Sequence, residues 1–363
     1  MHRRCTAATL GWVVTLAFVA CGQANPPAAT GFNDTWIWDS HSWTDRSTQD
    51  RPPARRGGTF VFDGARSVAV LFGGEDFDGR MLSDTWTWDG RRWTARSPTR
   101  HPAARDGATA VYDSSRRLVW LFGGFSAPSN NGRRTLYHDI WKWDGADWTD
   151  AKPASSPAVL SSGLVILAAG RVQSWVGPVM GFDAALGEAV LVTEPPTYEG
   201  TETWIWDGAA WIASAGEGGP PPPGYLFYDP SVTSLVFVRD VPRDEAFAGM
   251  PPLTYNWFTW DGTGWTVSYP MPQNPNRYGV SGSGSAYDPV DRVLITFGGA
   301  APNSCIDHTS SVAIAETWQW GGGGWSVLDP RASPPARIGP LMVWDSTRSQ
   351  VVMFGGLSRD ACV

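Results

Sequence analysis

The sequence predicts an all-β fold, a six-bladed β-propeller of four-stranded antiparallel blades closed by strands from both termini. Three observations predict it. The 363 residues include 41 Gly and 29 Pro, the composition of many short strands joined by turns. Two motifs alternate along the chain, each in six copies, and a repeat period of 40 to 50 residues marks a propeller rather than a layered domain. The chain also opens on one motif and ends on the other.

The first motif is rich in tryptophan. It runs Asp34-Thr35-Trp36-Ile37-Trp38-Asp39 to Trp43, then Asp84-Thr85-Trp86-Thr87-Trp88-Asp89-Gly90 to Trp93. It returns at 139–148, at 202–211, in degenerate form at 256–265, and at 316–325, where glycines replace the Asp-Gly turn. Trp-x-Trp places two indoles on one face of a strand because side chains alternate with period two. Asp-Gly before the third Trp predicts a tight hairpin, the glycine supplying a positive φ. Each copy therefore reads as two strands, c and d.

The second motif supplies strands a and b. Its clearest copies are Pro53-Ala54-Arg55 through Val61-Phe62-Asp63 to Phe72-Gly73-Gly74, and Ala103-Ala104-Arg105 through Val111-Tyr112-Asp113 to Phe122-Gly123-Gly124. Others end at Gly298-Gly299 and Gly355-Gly356, while the copies at 181–192 and 227–238 lack the glycine pair. Apolar β-branched and aromatic runs ending in glycine predict buried strands whose ends pack closely against other backbone. The chain begins with c and d (34–46) and ends with a and b (334–356). Paired, these halves make the sixth blade and hide edges that would otherwise invite aggregation.

Most conspicuous residues are thereby assigned to structure. All 22 Trp except Trp12, Trp120, Trp175 and Trp344 lie in the tryptophan motif. Buried indoles remove large apolar areas from water, so these rings are expected in the core rather than on a sugar-binding surface. The turn residues Asp89, Asp144, Asp207 and Asp261 are expected to form hairpins.

A hydrophobic strand, a double glycine and then a Trp-rich pair resemble kelch repeats, over roughly residues 33–356. The resemblance implies a ligand face formed by the b–c loops and the links between blades. Those loops are 75–83, 125–138, 194–201, 239–255 and 300–315, the fourth being the longest. It also implies a place for the Pro-x-x-Arg arginine, here Arg55, Arg105, Arg277 and Arg337. Either these guanidiniums look into the central funnel and bind carboxylate or polar ligand groups, or they pair with carbonyls and carboxylates between blades. Blades 3 and 4 lack the arginine, so any ring is incomplete.

On this reading the chain is a non-enzymatic binding propeller, a monomer that recognises a protein or a carbohydrate, with Arg55, Arg105, Arg277, Arg337, Asp240 and Glu245 as ligand-binding candidates. The alternative is an enzyme resembling the six-bladed kelch sugar mutarotases, with Asp240 or Glu245 beside Arg105 and Arg277. Copper-radical oxidases of the galactose-oxidase type share a kelch-like propeller but need a Tyr-Cys crosslink and several His and Tyr ligands. Past the leader only His41, His101, His138 and His308 are present, so no cofactor and no metal are expected. Glu75-Asp76-Phe77-Asp78-Gly79 lacks the spacing of a recognised calcium loop and reads as a solvated acidic loop.

The N-terminus reads as an export signal. His2, Arg3 and Arg4 precede an apolar run at 10–20, too short to span a bilayer and suited to a signal peptide. Ala17-Phe18-Val19-Ala20-Cys21 resembles a bacterial lipobox, which implies a signal peptide with a lipobox-like end over 1–21, cleaved before Cys21 so that this Cys becomes the lipid-bearing N-terminus, a tether at 22–32 and a propeller at 33–363 held at the cell envelope. Cys305 and Cys362 occupy the same loop position in adjacent blades and are expected to form a disulfide in an oxidising compartment. The net charge of −7 offers no general attraction to nucleic acid or anionic lipid, so contact with a membrane is expected only through the lipid anchor.

Overall fold

Six four-stranded antiparallel sheets are resolved in a computed structural model that describes residues 30–158, 178–194, 201–216, 219–220, 224–239, 257–268, 282–302, 311–321 and 324–358. Blade 1 consists of strands a to d at Thr59–Asp63, Val68–Glu75, Met81–Trp88 and Trp93–Arg96. Blades 2 to 5 repeat this order, with their a strands at Thr109–Asp113, Val179–Asp183, Gly224–Asp229 and Gly284–Asp288. Each a strand touches the a strand of the next blade until the circuit closes on the first. The a strands therefore ring the central axis, and the d strands form the outer edge.

Blade 6 is built from both ends of the chain, as the phase of the motifs predicts. Strands Leu341–Asp345 and Gln350–Phe354 are followed in the sheet by Thr35–Trp38 and Trp43–Asp45. Thr35 pairs with Phe354 and Trp38 with Val351. Pairing starts slightly before the expected boundary, since Thr30–Gly31 also lies against Leu357–Ser358. Among the described residues no helix is long and apolar enough to cross a membrane.

The core lies between blades and repeats with them. The third Trp of a motif packs edge-on or tilted against the Phe of the preceding blade's Phe-Gly-Gly: Trp93 on Phe354 at 5.0 Å, Trp148 on Phe72 at 5.2 Å, Trp211 on Phe122 at 5.0 Å. Its indole N–H donates to the first Thr of that blade's strand c, with Trp93 to Thr35 at 2.8 Å and Trp148 to Thr85 at 3.0 Å. Trp265 donates likewise to Thr203, and Trp43 to Thr317, both at 2.9 Å. Blade 2 carries Ile140 at this position, and the buried Trp211 N–H has no acceptor. Thr85→Val keeps the shape and removes the acceptor, so it is expected to destabilise by about 1–3 kcal/mol, the penalty of a buried unsatisfied donor. Urea unfolding measures this; a change under about 0.5 kcal/mol would mean the indole finds another partner.

The two faces are held differently. On the face of the a–b and c–d turns, each turn Asp caps its own hairpin; the Asp89 carboxylate, for example, accepts the N–H groups of Arg91 and Arg92, both at 2.9 Å. Arg66, Arg116 and Arg348 each bind the Asp three residues earlier and then a backbone carbonyl in the next blade's a–b turn, at Arg117, Gly187 and Ser67. On the opposite face the double glycine lets backbones meet. Gly73 and Gly74 have φ of +65° and +100°, and a Cβ on Gly74 would lie 2.6 Å from the Arg56 carbonyl oxygen.

Candidate functional site

The face bearing the b–c loops and the inter-blade links begins with the repeated arginine. Arg105 sits where the chain crosses from blade 1 to blade 2. Its backbone belongs to blade 1, with Arg105 N–H donating to Leu82 O at 3.1 Å and Gly74 N–H donating to Arg105 O at 2.8 Å. Its side chain belongs to blade 2: Nη1 and Nη2 hold the two oxygens of Asp139 at 2.6 and 2.9 Å, and Nη1 also donates to Gly123 O at 2.8 Å. Nε returns to Ala103 O at 3.0 Å, and the Tyr137 ring covers the guanidinium at 4.1 Å. The Asp139 carboxylate also accepts from the Trp141 indole at 2.7 Å. The residue thus rivets one blade to the next.

Arg55 repeats this geometry with Asp84, Gly73 O and Pro53 O, and Arg337 with Asp34, Gly355 O and Pro335 O under the Phe32 ring. Arg55, Arg105 and Arg337 are 0%, 1% and 0% exposed. Of the two expectations for these arginines, ligand contact in the funnel or pairing with carbonyls and carboxylates between blades, the second describes the contacts of these three. Bidentate pairing with a carboxylate at the start of strand c draws each guanidinium inward, beneath its blade's own loops. Burial raises the Asp84 and Asp139 carboxyls, but hydrogen bonds and charge from Arg55 and Arg105 outweigh it and hold both below the usual range.

Arg277, Asp240, Glu245 and most of loop 239–255 lie outside the described residues, as do Cys21, Cys305 and Cys362. The expected solvated acidic loop 75–79 is corrected at its first residue, since Glu75 ends strand b and is buried; the rest is a turn in which the Asp76 carboxylate accepts the N–H groups of Asp78 at 3.0 Å and Arg80 at 2.8 Å. Among the described residues no three His, Cys, Asp or Glu side chains are grouped so as to hold a metal ion.

What converges on this face is the residue after each rivet. Arg56 pairs in the backbone with Glu75, and Asp106 with Phe125. The Arg56 guanidinium reaches Glu75 Oε2 at 2.9 and 3.3 Å. Asp106 lies beside this pair, 1% exposed, with neither carboxyl oxygen hydrogen-bonded. Its Oδ1 presses on Gly57, where a Cβ would lie at 1.5 Å. Burial, then the charge of Glu75, push its pKa up to about 6; the nearby Gly107 N–H and the charges of Arg56 and Arg134 only temper the rise. The Gly107 N–H itself donates to Gly57 O at 3.0 Å, so it satisfies neither carboxyl oxygen.

Loop 125–138 rises above Asp106 as a hairpin with its own ladder. Ser126 N–H donates to Thr135 O at 2.9 Å, and Ser129 N–H to Arg133 O at 2.8 Å. Residues 127–135 are nevertheless all exposed. The Arg134 guanidinium lies 4.7 Å from the centre of the Phe125 ring. Sequence reasoning passed over Arg56, Asp106 and Arg134, although one signal was present: the position after the rivet is Arg56, Asp106 and Ile338 in three otherwise matching copies.

No family model matches the chain, and no curated protein matches it. Among solved structures it is similar to that of YjhT, with a TM-score of 0.54 and 13% identity over 85% of this chain and 94% of that one. At that identity the likeness concerns the fold.

Proposed function

We propose that this chain is a non-enzymatic binding propeller, exported and lipid-anchored at the envelope through Cys21, which recognises a protein or glycan with the loops around Asp106. The observation that carries this reading is hairpin 125–138. It exposes Asn130, Asn131, Arg133 and Arg134 together while its backbone is already ordered by internal hydrogen bonds. A preordered loop loses little conformational freedom on binding, and specificity usually sits on such loops over a rigid scaffold. The export signal and lipobox-like segment support the envelope location.

The test is a glycan array and envelope-protein binding with wild type, with Arg133→Ala/Arg134→Ala, and with Arg91→Ala/Arg92→Ala on the opposite face. Loss of a defined ligand by on the order of tenfold or more in the first variant alone is the expected result. Equal binding by all three proteins would remove the hairpin from recognition.

One observation favours the enzyme reading: a buried carboxyl raised to about 6 beside Glu75 and Arg56 has the character of an acid–base group. Sugar anomer interconversion measured by NMR separates the two. Turnover by wild type that disappears in Asp106→Asn would replace the binding reading.

A further inference from the structure

A concave surface lies on the outer wall of blade 2, away from Asp106 and hairpin 125–138. The link from blade 1 passes strand d, Trp148–Asp150, and the two border an open groove of about 500 Å³. Its walls include Arg100, His101, Trp141, Thr149, Asp150 and Lys152.

The local fold holds these groups in place. The Arg100 backbone N–H donates to Asp147 Oδ1 at 2.8 Å, and its guanidinium makes long contacts, 3.4 Å each, to Asp147 and Thr149. Its Nη1 has no hydrogen-bond partner among the described residues, and the side chain is 63% exposed. Lys152 follows a tight turn, with φ of +50° and its N–H donating to Asp150 Oδ1 at 3.0 Å. Among the described residues its ammonium makes no ion pair, and neither does Asp150. The Trp141 indole, oriented by its bond to Asp139, supplies a flat apolar wall.

We infer that this cavity is a binding site for an acidic sugar, a saccharide residue carrying one carboxylate. Lys152 and the free half of the Arg100 guanidinium take the carboxylate. The C–H face of the sugar ring packs on Trp141, and Asp150 and Thr149 accept hydroxyl hydrogens. Asp150 disfavours a phosphate dianion by like-charge repulsion, whereas a monoanionic polyol satisfies both signs in the cavity. Blade 1 lacks the combination: the residues matching Arg100, Asp150 and Lys152 are Asp50, Ala95 and Ser97.

Calorimetric titration of the full mature chain with digalacturonate and with its neutral counterpart galactobiose tests the assignment. Digalacturonate is expected to bind, galactobiose to bind at least tenfold more weakly, and Lys152→Gln to weaken digalacturonate by about tenfold, the effect of one charge-assisted hydrogen bond. Arg91→Ala/Arg92→Ala, in the c–d turn of blade 1, is expected to leave this binding unchanged. Equal binding of the two sugars, no binding of digalacturonate at millimolar concentration, or indifference to Lys152→Gln would overturn the inference.

Discussion

Asp34→Ala is expected to lower the stability of the propeller by about 3–5 kcal/mol, the effect of removing one partner from a buried charged pair. Arg337 is 0% exposed, and both its Nη atoms bind the Asp34 oxygens, at 2.6 and 2.8 Å. Without Asp34 a guanidinium remains enclosed with only carbonyl acceptors and the Phe32 ring, and the Trp36 indole loses its acceptor at 2.7 Å. The pair joins residues 303 positions apart, so it fastens the N-terminal half of blade 6 to the C-terminal half. Guanidinium chloride unfolding of Asp34→Ala, with exposed Asp50→Ala as the control, measures the effect. Adding Arg337→Met removes the stranded charge, so the double variant is expected to be more stable than Asp34→Ala alone. If Asp34→Ala unfolds at the same denaturant concentration as Asp50→Ala, the rivet does not hold the ring.

Asp106→Asn is expected to act in the opposite direction and to depend on pH. A carboxyl titrating at about 6 in the folded protein titrates near 3.9 when unfolded. Between those values the folded protein keeps a proton that the unfolded chain has released, so this group's contribution to stability falls as pH rises from 4 to 6. Above 6 the whole penalty is present, about 3 kcal/mol at 1.36 kcal/mol per pKa unit. Asparagine carries no charge at any pH, although its amide is still buried. The variant is therefore expected to be more stable than wild type by about 1–3 kcal/mol at pH 8, and by little at pH 4. Comparing the two proteins at each pH isolates Asp106 from Asp84 and Asp139, whose lowered pKa values make their own contributions fall at acid pH. A constant difference across that range would show that Asp106 does not titrate there.

Much of the architecture was legible because it repeats. The in-phase copies of the two motifs specify six blades, and the order of the half-motifs at the termini specifies a sixth blade shared between them; both are observed. Asp89, Asp144, Asp207 and Asp261 could be assigned as hairpin residues from their neighbours alone, since an Asx turn closes over two or three residues. The site was less legible because its members are unlike one another. Arg56 and Asp106 hold the same repeat position with opposite charges, and Glu75 and Arg134 come from b–c connections of unlike sequence and length, so no shared residue type marks the group.

The sequence by itself determined the blade count, the strand order, the closure and the second tryptophan of each motif as a core ring, because alternation and repetition are local properties of a chain. The first tryptophans Trp36, Trp86, Trp141, Trp204 and Trp257, by contrast, are only half-buried. Only the tertiary structure decided where the arginines point. Strand periodicity assigns a side chain to a face but does not choose its partner. A carboxylate 29 residues downstream of Arg55, 34 downstream of Arg105 or 303 upstream of Arg337 becomes that partner only when strand c returns beside the double glycine. The same return sets the next residue of each link against its neighbour's loop, leaving Asp106 buried beside Glu75 and Arg56 with neither carboxyl oxygen hydrogen-bonded.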